Sequence, residues 1–163
     1  MLAPTRDRWS RLNVYLHWLI VALVVVQYID HEWMVQMWDG EQHGSPVSQG
    51  IAYGGWLHII AGSLILGAAF LRLIDRFWSG RPPHPDQVPN WSTWVAKITH
   101  FLIYAILLLM PSLGLLAWFT GDDTIAHYHT FFWTPLLILV ALHIAGALMQ
   151  HFYYRTDVLR RMA

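Results

Sequence analysis

Apolar residues dominate four long stretches of the chain, and polar residues gather between them. The first stretch covers residues 12–29. The second is densest over 56–74, with a helix start expected near 47. The third covers 98–119, and the fourth is densest over 131–152 with a start near 125. A helix needs about 20 mostly apolar residues to cross the hydrocarbon core of a bilayer. Charges do not alternate with the apolar residues, so each stretch reads as a spanning helix and not as an amphipathic surface helix. The pattern predicts an all-α chain: one four-helix transmembrane bundle over 1–163, with helices near 12–29, 47–74, 98–119 and 125–154. The first stretch lacks a small-residue cleavage site and is expected to stay as a span. Pro111 and Pro135 are expected to kink the third and fourth helices, which membrane helices tolerate. Segment 80–90 holds four prolines and reads as a loop.

Composition agrees with lipid as the solvent. The 163 residues are 56% hydrophobic and only 12% charged, against about 25% charged in a soluble domain. The formal net charge is zero, so nothing points to nucleic acid. The absence of cysteine excludes disulfides, thiolate metal sites, iron–sulfur clusters and covalent c-type haem. Charge also sets an orientation. Arg6, Arg8 and Arg11 precede the first helix; Arg72, Arg76, Arg81 and Lys97 flank the second loop; Arg155, Arg160 and Arg161 follow the fourth helix. All ten basic residues thus fall on one side, while Asp30, Glu32, Asp39, Glu41, Asp122 and Asp123 fall on the other. The positive-inside rule then places both termini in the cytoplasm. Trp18, Trp33, Trp56, Trp78, Trp94, Trp118 and Trp133 lie near helix ends and read as an aromatic belt.

Ionisable side chains within a membrane are costly and tend to be functional. His17, His58, His100, His129, His143 and His151 fall on or at the ends of the apolar stretches. His31, His43 and His84 fall in expected loops and His127 near a helix start, where solvated histidine is the plain reading. His129 and His143 lie 14 residues apart on one helix. That spacing is a rise of about 21 Å with a rotation of about 40°, so the two share a face. Two histidines can bind a haem iron from above and below in a low-spin electron carrier. Two such ligands four turns apart would place one haem in each leaflet. Matching the depths of the other helices selects His17 with His143 in the inner leaflet, and His58 with His129 in the outer one. The alternative is a set of histidines hydrogen-bonded to neighbouring helices.

His151 competes with His143 as a ligand, but it lies only eight residues further on. Haems at those two depths would crowd one another, which favours His143. His151 and His100 then fall near the inner surface, where each can either handle protons for a quinone or be satisfied by water. Gly62, one turn beyond His58, would let a porphyrin approach the backbone, or would let helices pack closely. Arg11, Arg72 and Arg76 could neutralise haem propionates or anchor topology.

At these residues the chain resembles the bacterial cytochrome b561 family of four-helix di-haem membrane proteins. The first helix has Arg11 six residues before His17-Trp18; the second has His58, Gly62 and Arg72. The third has His100, Tyr104, Pro111 and Gly114. The fourth has His129, His143 and His151, followed by Leu159, Arg161 and Met162. The resemblance covers nearly the whole chain. It implies two b haems held by His17, His58, His129 and His143, electron exchange with a membrane quinone, and a multi-pass place in the bacterial inner membrane. One activity in the family is oxidation of superoxide at the periplasmic face. That chemistry favours basic groups at the outer haem, and this chain has only carboxylates there. A neutral or cationic donor, or a basic periplasmic protein, fits better. Two other readings stand beside the quinone-linked carrier: a cytochrome subunit of a dehydrogenase or hydrogenase complex, and a histidine-lined proton or metal transporter.

Overall fold

The computed structural model describes residues 9–80 and 88–162. Arg6, Arg8, Arg81 and His84 lie outside the described residues. The described residues form helices and turns, without strands. Helix α1 spans Arg11–His43, α2 Gln49–Trp78, and α3 Asn90–Thr120. The fourth span is divided into α4, Asp123–Phe131, and α5, Trp133–Leu148, followed by a π-helical turn, Met149–Tyr153. Among the described residues, four helical stretches are long and apolar enough to cross a membrane. Their outward surface is apolar, with Phe70, Phe101, Phe119, Leu142 and Phe152 among many exposed side chains. Such a surface is untenable in water at this extent and suits hydrocarbon. The chain is a multi-pass membrane protein.

Local signals set the helix ends. Ser10 caps α1 by accepting from the Asn13 N–H at 3.0 Å. Asp122 caps α4 by accepting from the N–H groups of Thr124 and Ile125. Gly44 and Gly121 follow α1 and α3 with φ of 63° and 65°, the left-handed conformation that closes a helix and that glycine adopts without strain. The tight turns after them set α1 against α2 and α3 against α4.

α1 is much longer than the 12–29 stretch predicts. It continues through Asp30, Glu32 and Asp39 to His43, so His31 and His43 are helical and not in a loop. Hydropathy stops at Ile29, but no strong breaker follows, and the extension packs on α2. Met37 is buried there. Trp33 and Met37 lie directly on Gly54 and Gly55, where a Cβ would collide with them. α3 likewise starts earlier than 98 and runs through Pro111 without interruption. The fourth span breaks at Phe132, three residues before Pro135. Proline has no N–H for the carbonyl four residues earlier, and its ring crowds that carbonyl, which belongs to Phe131. The disturbance therefore falls a turn before the proline itself.

The bundle has a basic end and an acidic end. At the basic end the start of α1 is tied to the last turns of α2. Buried Asn13 donates to the Arg72 carbonyl at 3.3 Å and to Asp75 Oδ2 at 3.1 Å, and its Oδ1 accepts from Arg72 Nε at 2.9 Å. The C-terminal tail docks here too, with Trp18 Nε1 donating to the Met162 carbonyl at 2.8 Å. At the acidic end Trp38 Nε1 donates to Asp123 at 3.0 Å, and Gln42 donates to the Gly121 carbonyl at 3.2 Å. α1 packs along α2, α2 on α3, and α3 on α4 and α5. The core is a thin apolar layer of Leu16, Ile20, Ile65, Ala69, Ile106, Leu107 and Leu136 midway between the ends.

Candidate functional site

The helix directions bring four histidines into two pairs. His58 on α2 faces His129 on α4, with ring centroids 6.2 Å apart and an interplanar angle of 79°. His17 on α1 faces His143 on α5 at 6.1 Å and 73°. A metal–imidazole bond is about 2 Å long, so two rings on opposite sides of one iron stand with centroids about 6 Å apart. Both pairs have that spacing. Each joins the α1–α2 half of the bundle to the fourth span.

The pair toward the acidic end has a donor set suited to iron. His58 Nδ1 donates to Asp30 Oδ1 at 2.8 Å. His129 Nδ1 donates to the Met110 carbonyl at 2.7 Å, immediately before Pro111. A carbonyl can only accept, so the proton of neutral His129 sits on Nδ1 and Nε2 keeps its lone pair. The carboxylate sets the same tautomer for His58. An imidazole whose far nitrogen donates to an acceptor is the usual form of a metal-ligating histidine. A cavity of about 460 Å³ opens between these rings, lined by His58, Gly62, Ile106, Gly114, His129 and Leu136 among others. This lies within the range of about 300–1,000 Å³ typical of ligand pockets. Gly114 is required there, because a Cβ would stand 2.9 Å from the His129 ring. Gly62 lines the cavity, and a Cβ on it would meet Gln27 Nε2 at 3.1 Å. Gln27 is held by donating to the His58 carbonyl at 2.8 Å. Exposed His31 and His127 line the acidic end of the same cavity. These residues fit a haem.

The pair toward the basic end is differently dressed. Arg72 Nη1 donates to His17 Nδ1 at 2.9 Å. Arginine has no acceptor, so His17 here carries its proton on Nε2. The spacing fits a haem, and ligation by His17 Nε2 requires Arg72 to release Nδ1. A propionate is the stronger acceptor that would draw the guanidinium away. Arg72 and Arg76 both stand over the Tyr104 ring at 5.7 Å. His100 is also here, with its ring centroid 5.0 Å from that of His143, closer than two rings across one iron would stand. Its Nδ1 donates to the Ala96 carbonyl at 2.6 Å, which leaves Nε2 as an acceptor.

Other expected site residues fall elsewhere. His151 sits in the π-helical turn, where its Nδ1 donates to the Thr156 carbonyl at 3.1 Å and its ring meets Phe152. Arg11 is exposed on the first turn of α1. Trp133 stacks on Tyr28 at 6.2 Å, so it joins α1 to α5 besides lying near a helix end. Sequence reasoning missed Asp30 as a site residue by counting it with the acidic loops. Asp30 is fully buried, and its position one residue past an apolar run was the only sign available.

A helical membrane bundle with paired interior histidines defines a class, the membrane cytochromes that bind haem non-covalently. Residues 8–163 match prokaryotic cytochrome b561, and the chain belongs to that family. It is 30% identical to cytochrome b562 of Cereibacter sphaeroides, with 94% of each chain covered. It is 24% identical to a probable superoxide oxidase of Yersinia pestis over 95% of each chain. It is 23% identical to cytochrome b561 homolog 1 of Escherichia coli, over 96% of this chain and 97% of that one. The protein is therefore a membrane electron carrier of the b561 family, and the family implies haem b.

Proposed function

We propose that the chain holds two b haems, one at each histidine pair, and passes electrons between a donor at its acidic, outer face and a quinone at its basic, inner face. The observation that carries this reading is the equal spacing of the two pairs, 6.1 and 6.2 Å, toward opposite ends of the bundle. His58 and His129 would hold the outer haem, and His17 and His143 the inner one. A haem supplies a one-electron iron couple, and with two protein ligands no position is left for substrate. The chain's own work is then to hold the ligands, exclude water and move protons at the quinone.

Distribution of charge supports the orientation, with the basic end in the cytoplasm of a bacterial inner membrane. Quinone chemistry at that end needs a group that accepts and returns protons. His100 has a free Nε2 acceptor beside the inner pair and borders a small cavity with Trp91, Thr99, His143 and Gln150. His151 lies further out and takes the second place. Superoxide fits less well as the donor. The acidic end carries Glu32, Asp39, Glu41, Asp122 and Asp123, a field that repels an anion.

The test has two parts. A pyridine haemochrome assay on purified protein should find about two haems per chain, one for each pair of ligands. A value near one at full occupancy removes one pair. His100→Gln should keep both haems and slow reoxidation of the reduced protein by added quinone, with a smaller effect in His151→Ala. Loss of a haem in either variant would make that residue a ligand and not a proton-handling group.

A further inference from the structure

Asp30 is the most completely buried acidic residue described in the bundle, at 0% exposure. Its Oδ1 accepts from His58 Nδ1 at 2.8 Å, and its Oδ2 is buried without a hydrogen-bond partner. A carboxylate so placed is expensive and persists only where something answers it. The polar contact that answers it is the far nitrogen of a residue assigned to the outer haem. α1 delivers it there because residues 17 and 30 differ by 13 positions, a rise of about 20 Å that carries the helix from the inner pair to the outer one.

We propose that Asp30 is a positioning residue for His58 that sets the electron affinity of the outer haem. The carboxylate fixes the tautomer and aim of the ring, and by drawing on the Nδ1 proton it makes Nε2 a stronger donor to the iron. A more basic axial ligand favours the ferric form and lowers the reduction potential. Among the described residues, no carboxylate is hydrogen-bonded to the other three rings. His129 donates to a neutral carbonyl, and the charged group at His17 is the cation Arg72, which would stay at that end of the bundle after releasing Nδ1 for ligation. No hydrogen-bond partner is described for the His143 ring. A nearby cation acts in the opposite sense and favours the ferrous form. The outer haem is thus the lower-potential centre. With both haems bound, one electron given up by the outer ferrous iron would be taken up by the inner ferric iron, with no proton or further reactant in the transfer, and the downhill direction would be inward, toward the quinone end.

This inference rests on the two-haem reading, and the experiment separates the two. Redox titration of the purified protein, followed by absorbance, should show two one-electron centres. The outer one is identified by its absence in His129→Ala and should have the lower midpoint. Asp30→Asn keeps the shape and an acceptor oxygen but removes the charge. It should raise the outer midpoint by about 59 mV or more, a tenfold change in electron affinity, and leave the inner one in place. Asp30→Glu should recover part of the difference. Two haems with an outer midpoint unmoved in Asp30→Asn would overturn the role of Asp30 while leaving the haem reading intact. If Asp30→Asn fails to keep the outer haem, the unaltered protein decides: an outer midpoint above the inner one overturns the proposal. A protein without a Soret band would sink the haem reading itself.

Discussion

Single atoms decide the fit of the site toward the acidic end. Gly114 carries the His129 ring directly on its backbone, with the position of a Cβ 2.9 Å from two ring atoms. The ring is tethered by the hydrogen bond from Nδ1 to the Met110 carbonyl, and the space open to it is the cavity on its other side, so any displacement carries it into the site. Gly114→Ala should therefore push His129 off its axis while leaving α3 helical, since alanine is the better helix former by about 1 kcal/mol. The expected result is a haem content reduced to about half, or one centre converted to high spin, because only one of the two ligand pairs is disturbed. Absorbance of the oxidised and reduced variant measures this directly. Full low-spin content would show that the ring has room that the static contact hides. Asp30 and Gln27 belong to the same scale. Each binds His58, one at its side chain and one at its backbone carbonyl, and so holds it from two directions.

At the scale of elements, the break in the fourth span matters most. A continuous helix would set His129 and His143 about 40° apart around the axis. The break at Phe132 frees α4 to turn on its own, anchored by its Asp122 cap and the Trp38–Asp123 hydrogen bond. Pro135 causes the break by crowding the Phe131 carbonyl. Pro135→Ala should mend the helix through Phe132 and shift His129 relative to His58. The His17–His143 centre, about three turns beyond the break, should be spared. EPR of the oxidised variant should show one low-spin signal altered and the other kept. Equal change in both signals would mean that the two segments move as one rigid rod. The π-helical turn at Met149–Tyr153 does related work at the other end, since it redirects the chain so that Thr156 receives the His151 ring and the tail reaches Trp18.

For the molecule as a whole, the pairing has a genetic signature that single substitutions lack. His58→Ala combined with His129→Ala should cost one haem, and so should His17→Ala combined with His143→Ala. His58→Ala combined with His143→Ala should cost both. Haem content alone reads these outcomes, without any need to resolve the two centres from one another. Should the crossed combination keep a haem, the assignment by depth is wrong. Orientation can be tested as simply, because the chain has no cysteine of its own. In intact cells, Asp39→Cys should react with a membrane-impermeant maleimide, and Arg160→Cys should react only after the membrane is opened. The reverse pattern would put the quinone end outside.

Much of this protein was legible before any tertiary contact was known. The four spans follow from hydropathy, because the cost of placing polar groups in hydrocarbon falls on each segment separately. The same holds for the segregation of charge to two ends. The depth of each histidine follows from a rise of about 1.5 Å per residue, so His17, His58, His129 and His143 could be matched by depth from numbers alone. Rotation about the helix axes, and contact between distant segments, could not be read that way. Asp30 was counted with the outer charges because hydropathy averages around a helix and does not say which face turns inward. The length of α1 was missed because Met37 and Trp33 are held by Gly54 and Gly55, a relation between two helices. The placing of Arg72 on His17, and of His100 rather than His151 beside the His17–His143 pair, likewise depends on how helices are turned toward one another. Residue order was enough to read which segments are apolar enough to span a membrane and how far along each helix its histidines fall. Tertiary packing alone decided what stands behind each imidazole, because that depends on side chains from different helices meeting at one point.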